Sequence, residues 1–359
     1  EYEFRASGGG SFVNGSEKAI ERVQRSSAHF AQRPDREYSR LDPTLTSLPG
    51  WSIQANLDRT GGRHWLFGGS TKVDSENFET NDLAILTGAD GLLISGNLTY
   101  RETQPGRVLR GYAFTVNASN DATLRWLRQD GSVRAQASLT WANFWTTNVS
   151  VSRLLPQMSV SLTRGGPLMA RGPGWTTQAS IGNRSASQTR VTATGTISGN
   201  DDGASVKRIT GSVSFRPGPR WQLSAEPLFD RVTEPQQYVS TLAGGRPDTF
   251  GSRYVFAFID RSTVATRFRL GYTVKPEMDL DEDPEPFAAS GRYYKYGELL
   301  ESQSRLRLEY GTAGTALVVN PDGSQTVTAD GTTFTLRNRD FNTLSFRSNV
   351  VLRWEWRPG

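Results

Sequence analysis

The chain offers two imidazoles, His29 and His64, and acyl transfer at a serine-type site would need one of them as base beside a hydroxyl nucleophile. His64 lies on the polar parity of its segment, His29 lies on the expected helix, and no Gly-x-Ser-x-Gly element accompanies either. The reading therefore leans away from an enzyme. Asp279, Asp281, Glu282, Asp283 and Glu285 could offer calcium its hard oxygens. The Gly and distal Glu of a calcium loop are missing, which favours a solvated acidic rim over a metal site, and no residue set points to a cofactor. Arg101, Arg267, Arg269, Arg347 and Arg353 share the polar parity of their segments. They are the candidates for lining a lumen, either as selectivity charges or in ion pairs with Glu226, Glu309 or Glu355. Arg164-Gly165-Gly166-Pro167 reads as a fixed turn rather than a ligand loop.

These residues must be held by strands. In Thr343 to Gly359, Leu344, Phe346, Val350, Leu352, Trp354 and Trp356 alternate with Arg347, Arg353 and Arg357 among other polar residues. A period of two is a β-strand, because successive side chains leave opposite faces of the pleat. Its length and its paired tryptophans suit a tilted strand crossing a bilayer, with an aromatic girdle at one interface. Arg208 to Phe229 repeats the pattern as a hairpin about Pro217-Gly218-Pro219, with Ile209, Val213, Phe215 and Leu223 on one face. Further alternating runs start at Trp51, Trp65, Leu92, Tyr112, Val133, Trp175, Val191, Tyr254 and Val264, joined as meanders.

Tyr2 to Phe12 starts as a strand and loses its pattern at Gly8-Gly9-Gly10. An amphipathic helix over 17–32 follows, capped by Ser16 and stopped at Arg33-Pro34; it reads as a loop helix on a barrel rim. The acidic run to Pro286 reads as a break in the strand order, because carboxylates and prolines are costly in hydrocarbon. A long external loop over 288–342 then carries a hairpin of its own, signalled by Asn320-Pro321-Asp322-Gly323 and Asp330-Gly331.

Composition sets the outer limits. Of 359 residues 36% are hydrophobic and 21% charged, and no run approaches a transmembrane helix; a barrel is allowed, since its polar lumen face dilutes the average. There is no cysteine, and the net charge of +5 is unclustered, which argues against nucleic acid as a partner.

Glu21 to Asp35 (ERVQRSSAHFAQRPD), Leu162 to Met169 (LTRGGPLM), Pro286 to Leu299 (PFAASGRYYKYGEL) and Leu344 to Gly359 (LSFRSNVVLRWEWRPG) resemble segments of an uncharacterised bacterial outer-membrane family. Its members place a β-barrel of unknown function behind an N-terminal module similar to family-nine carbohydrate-binding modules, and some are labelled membrane-associated hydrolases. The resemblance implies a barrel that continues beyond this chain, with the module and early strands before it and a last strand after the turn at Arg357-Pro358-Gly359. Members usually have an alternating apolar strand where Asp279 to Glu285 stands here. No catalytic residues carry over.

The expectation is an all-β, antiparallel, up-and-down outer-membrane β-barrel of about 15–16 strands, incomplete, forming a single transmembrane domain over 1–359 with one loop helix. Its expected partner is the lipid bilayer of the bacterial outer membrane, with a polysaccharide reached through the missing module. The expected role is a pore or a membrane platform for that module. An outer-membrane hydrolase and a soluble β-sandwich with an adhesive role are the alternatives.

Overall fold

The computed structural model of the chain describes all residues except 81–85, 87, 185, 313 and 357–359, so the turn at Arg357-Pro358-Gly359 lies outside the described residues. Strand β1 (Tyr2–Asn14) leads through helix α1 (Glu17–Gln24) to β2 (Ser47–Arg59). A meander follows: β3 (Trp65–Asp74), β4 (Gly91–Glu102), β5 (Leu109–Ala122), β6 (Arg128–Trp141) and β7 (Thr146–Leu154). A small hairpin, β8 (Gln157–Ser159) and β9 (Met169–Arg171), precedes β10 (Gly174–Gly182), β11 (Thr189–Asn200), β12 (Ser205–Gly218), β13 (Trp221–Ala243) and β14 (Ser252–Lys275). Then come β15 (Met278–Glu282), β16 (Glu285–Leu299), β17 (Arg307–Glu309), a separate three-stranded sheet of β18 (Ala316–Val319), β19 (Gln325–Ala329) and β20 (Thr332–Leu336), and finally β21 (Phe341–Arg347) and β22 (Val350–Trp354).

The main sheet holds seventeen strands, each antiparallel to the next. β15 runs on into β16 and β21 into β22 with unbroken register, and β17 is a three-residue side-piece on β16. Fourteen positions across the sheet remain, fewer than the 15–16 expected. The difference lies in β14: the Tyr254 and Val264 runs are one strand of 24 residues. β1 pairs with β2 and β21/β22 with β16/β15, and neither has a second strand partner among the described residues, so the sheet stays open along those edges.

Three segments read as irregular are regular. The glycines at 8–10 continue β1, because a ladder to Ile53, Ser52 and Trp51 needs backbone groups and no side chains. Of the acidic run, Met278–Glu282 forms β15, flanked by β14 and β22, and only Asp283 and Pro284 interrupt the path into β16: β15 keeps Met278 and Leu280 on the apolar face and sends Asp279 and Asp281 to the polar one. The loop expected from residue 288 begins after Leu299, where β16 ends. The helix, in turn, stops at Gln24 instead of running to residue 32. Beyond it the backbone leaves the helical region, with Phe30 at φ 45°.

Every long strand carries one apolar face that is largely exposed. A single cross-strand row passes from Trp65 through Tyr100, Phe114, Ala137, Val149, Ala179, Gly195, Ile209, Phe229, Val264 and Ala288 to Leu344. Ile209 is 62% exposed, Leu352 59% and Val213 42%, values that a core between two sheets would bring close to zero. The buried core lies elsewhere. Beyond the apolar band, β13, β14 and β16 continue into a cap where Val239, Val255, Ala257, Tyr296 and Tyr310 pack on Val327, Ala329 and Leu336. A second cluster joins Met169, Tyr254, Phe256 and Leu299.

The two ends of the sheet differ. The cap end carries the long connections, 15–46, 155–173 and 300–340 among them, beside short ones at 123–127 and 201–204, whereas the opposite end turns within 60–64, 103–108, 142–145, 219–220 and 276–277.

Candidate functional site

The polar face of β13 to β22 carries alternating charge. Along one row Glu226 lies opposite Arg267, and Glu285 opposite Arg347; Arg267 donates to Glu285 at 2.6 Å and stands 3.9 Å from Glu226. In the next row Arg269 donates to Asp283 at 2.7 Å. Further along, Arg353 lies 3.7 Å from Asp281, and Thr273 donates to Asp279 at 2.8 Å. Strand pleating explains the order, because residues two apart share a face and cross-strand neighbours bring opposite signs together. Leu228, Ala265 and Phe287 lie beside the first row and, with Thr343 and Ser345, line a cleft of about 560 Å³.

Four of the five arginines singled out in the sequence therefore gather on adjoining strands, three of them paired with carboxylates. Arg101 sits apart on β4 and donates to the Gly62 carbonyl at 3.3 Å. Of the expected partners Glu226, Glu309 and Glu355, Glu226 is the one that stands beside one of these arginines among the described residues. Asp281, Asp283 and Glu285 were missed because their segment had not been read as a strand; the signal was there, since Asp279, Asp281 and Asp283 alternate with Leu280 and Glu282. The acidic run is thus interleaved with guanidinium groups instead of forming a separate rim.

At the cap end the 15–46 connection touches loops from strands far apart in sheet order. His29 hydrogen bonds to the Glu76 carbonyl at 3.0 Å and to Glu79 Oε2 at 3.1 Å. Tyr38 donates to Asp90 at 2.6 Å, and Arg125 lies over its ring. Asp35 accepts from the Leu168 amide at 2.6 Å and from Ser302 at 3.3 Å. One short segment can meet the β3–β4, β5–β6, β9 and β16–β21 connections together only if the sheet curls around it. The turn at Arg164-Gly165-Gly166-Pro167 is part of this closure: a Cβ on Gly166 would fall 2.1 Å from the Tyr254 ring, and Arg164 stacks on Tyr238 at 4.7 Å.

Two buried polar groups fix the cap. Arg253 and Glu298 are 1% and 2% exposed and pair at 2.7 and 2.8 Å. Arg253 also donates to the Ala329 carbonyl and to Thr332, and Tyr310 donates to Glu298. Burial, reinforced by the Glu298 charge, pushes the Tyr310 hydroxyl well above its ordinary value. Burial also lifts the Asp90 carboxyl above the usual carboxylate range and, with Asp90, raises Tyr38 to about 12. Sequence reasoning did not find these groups, since Arg253 and Glu298 lie 45 residues apart.

The histidines make different contacts from those a hydrolase needs. His29 is held as described, and His64 bonds to the Arg101 carbonyl at 3.0 Å, lies 3.6 Å from Glu102 and stacks on Tyr100. No hydrogen bond joins either ring to a Ser or Thr hydroxyl among the described residues.

A family model described as a domain of unknown function, DUF5916, matches residues 14–359. No curated protein matches the chain.

Proposed function

The chain belongs to the DUF5916 family, and from that premise we propose that it is the membrane-spanning sheet of a bacterial outer-membrane β-barrel, capped at one mouth. The observation that carries the reading is the exposed apolar face, continuous in one row over twelve positions of the sheet and uncovered by a second layer among the described residues. Water penalises such a surface, whereas hydrocarbon accepts it and tolerates only curled sheets or helices. Tight turns at one end and long connections at the other fit the same architecture.

A platform is favoured over an open pore. The 15–46 connection, the Arg164-Gly165-Gly166-Pro167 turn and the β18–β20 sheet fill the cap end with packed side chains, which leaves little room for a wide aqueous path. What the platform holds outside the membrane is a carbohydrate-binding module, an element that enters through the resemblance noted in the sequence.

The test is reconstitution of the full-length protein into vesicles, with flotation, resistance to alkaline extraction and planar-bilayer conductance measured on the same preparation. The reading predicts flotation and resistance to extraction, with conductance far below that of an open general porin. A protein that stays in the aqueous fraction without aggregating would overturn it.

A further inference from the structure

We propose that the outer face carries a binding site for the phosphate of anionic lipid headgroups, formed by Lys207 and Arg231 and flanked across β10 and β11 by Arg153 and Trp175. The proposal rests on the membrane reading and names the lipid partner of that surface.

Register places all three basic residues on the apolar face. Arg153 follows Val151 two residues on, Lys207 precedes Ile209, and Arg231 follows Phe229. Each is the outward residue at which its strand leaves the apolar band toward the cap, and all are exposed. Lys207 and Arg231 are neighbours, and Arg153 stands three strands from Lys207, across β10 and β11. Lys207 lies directly opposite Arg231, Arg153 directly opposite Trp175, and Trp175 opposite Gly199. A Cβ on Gly199 would meet the indole Nε1 at 3.4 Å, so glycine there lets the ring lean across β11 toward the strand that carries Lys207.

Their pairing favours an anion. Two cations opposite each other across a ladder repel, and Asp230, Asp202 and Asp260 have partners of their own. Asp230 serves Arg208 and Arg261 on the polar face, and Asp202 serves Arg305. Asp260, on the outer face of β14, accepts from Thr233 and Tyr294. None of the three basic side chains has an ion-pair partner among the described residues. An indole with cations just beyond an apolar band matches the level of lipid phosphates, where aromatic rings bridge the interface and each cation adds attraction. A headgroup fits better than free phosphate because its acyl chains would lie on Ile209 and Phe229 directly below, with Ile197 beside Lys207.

The experiment is native mass spectrometry of the detergent-solubilised full-length protein, titrated with phosphatidylglycerol, phosphatidylcholine or inorganic phosphate. Phosphatidylglycerol is expected to bind at least about tenfold more tightly than phosphatidylcholine. The triple variant Arg153→Gln, Lys207→Gln, Arg231→Gln should lose that preference, while Arg190→Gln on the polar face keeps it. Should the triple variant fail to fold, Lys207→Gln alone must lower the preference, and raising salt must lower it in the wild type. No preference in the wild type, a preference kept by the variants, or equal competition by inorganic phosphate would each overturn the site. Those results are separate from failure of the membrane reading, which would appear as a protein that floats with neither neutral nor anionic vesicles.

Discussion

At the scale of single residues, the cap depends on charges removed from water. Arg253 and Glu298 are held by each other, by Tyr310 and by the β19–β20 turn, so Arg253→Ala leaves an uncompensated buried carboxylate. It should destabilise the cap by about 3–5 kcal/mol, and Arg253→Met with Glu298→Leu should recover much of that; denaturant unfolding of the variants checks both. Asp90 adds a pH dependence of known sign. Because burial raises its pKa in the fold, its contribution is fully present below the unfolded value of about 3.8 and is lost as pH rises through the folded value. Protection of the Leu124 amide, which donates to Asp90, should therefore fall across that window in wild type and stay flat in Asp90→Asn. Protection that rises with pH would contradict the assignment. None of this was legible in the sequence, because tertiary ion pairs leave no periodic trace. The polar-face arginines were legible, since parity alone decides which face a side chain joins.

Elements were more readable than contacts. Alternation locates most strands, and residue type misleads where it is set above alternation: the glycines at 8–10 and the carboxylates Asp279, Asp281 and Glu282 sit in strands, the first supported by backbone pairing and Asp279 and Asp281 by Thr273 on β14 and Arg353 on β22. The helix was overextended because an apolar stripe persists after Gln24 in a segment that folds as turns. The two faces make opposite predictions for substitution. Ile209→Arg, in the middle of the apolar row, should cost about 2–4 kcal/mol of folding free energy in bilayers, whereas Ser212→Arg on the polar face should cost less. Refolding titrations into vesicles measure both, and equal costs would remove the distinction between the faces. Gly166→Ala tests the turn, because its methyl group would overlap the Tyr254 ring. Loosening of the cap, seen as faster proteolysis between residues 155 and 173, is the expected outcome.

For the whole molecule, the central claim is that a curled sheet meets lipid on one face and encloses polar side chains on the other. Its open edges at β1 and β21/β22 expose backbone groups that hydrocarbon cannot satisfy, so in a bilayer they must pair with each other or with further strands. The claim can be read strand by strand, because the chain has no cysteine and single cysteines can carry a spin label without background. The most direct measurement labels positions 209 to 215 of β12 one at a time in vesicles, and compares collision with oxygen, which partitions into lipid, against a water-soluble nickel chelate. The account predicts a period of two, with oxygen favoured at Ile209, Gly211, Val213 and Phe215 and nickel at Thr210, Ser212 and Ser214. Uniform access to nickel along β12, or oxygen maxima on the polar parity, would contradict it.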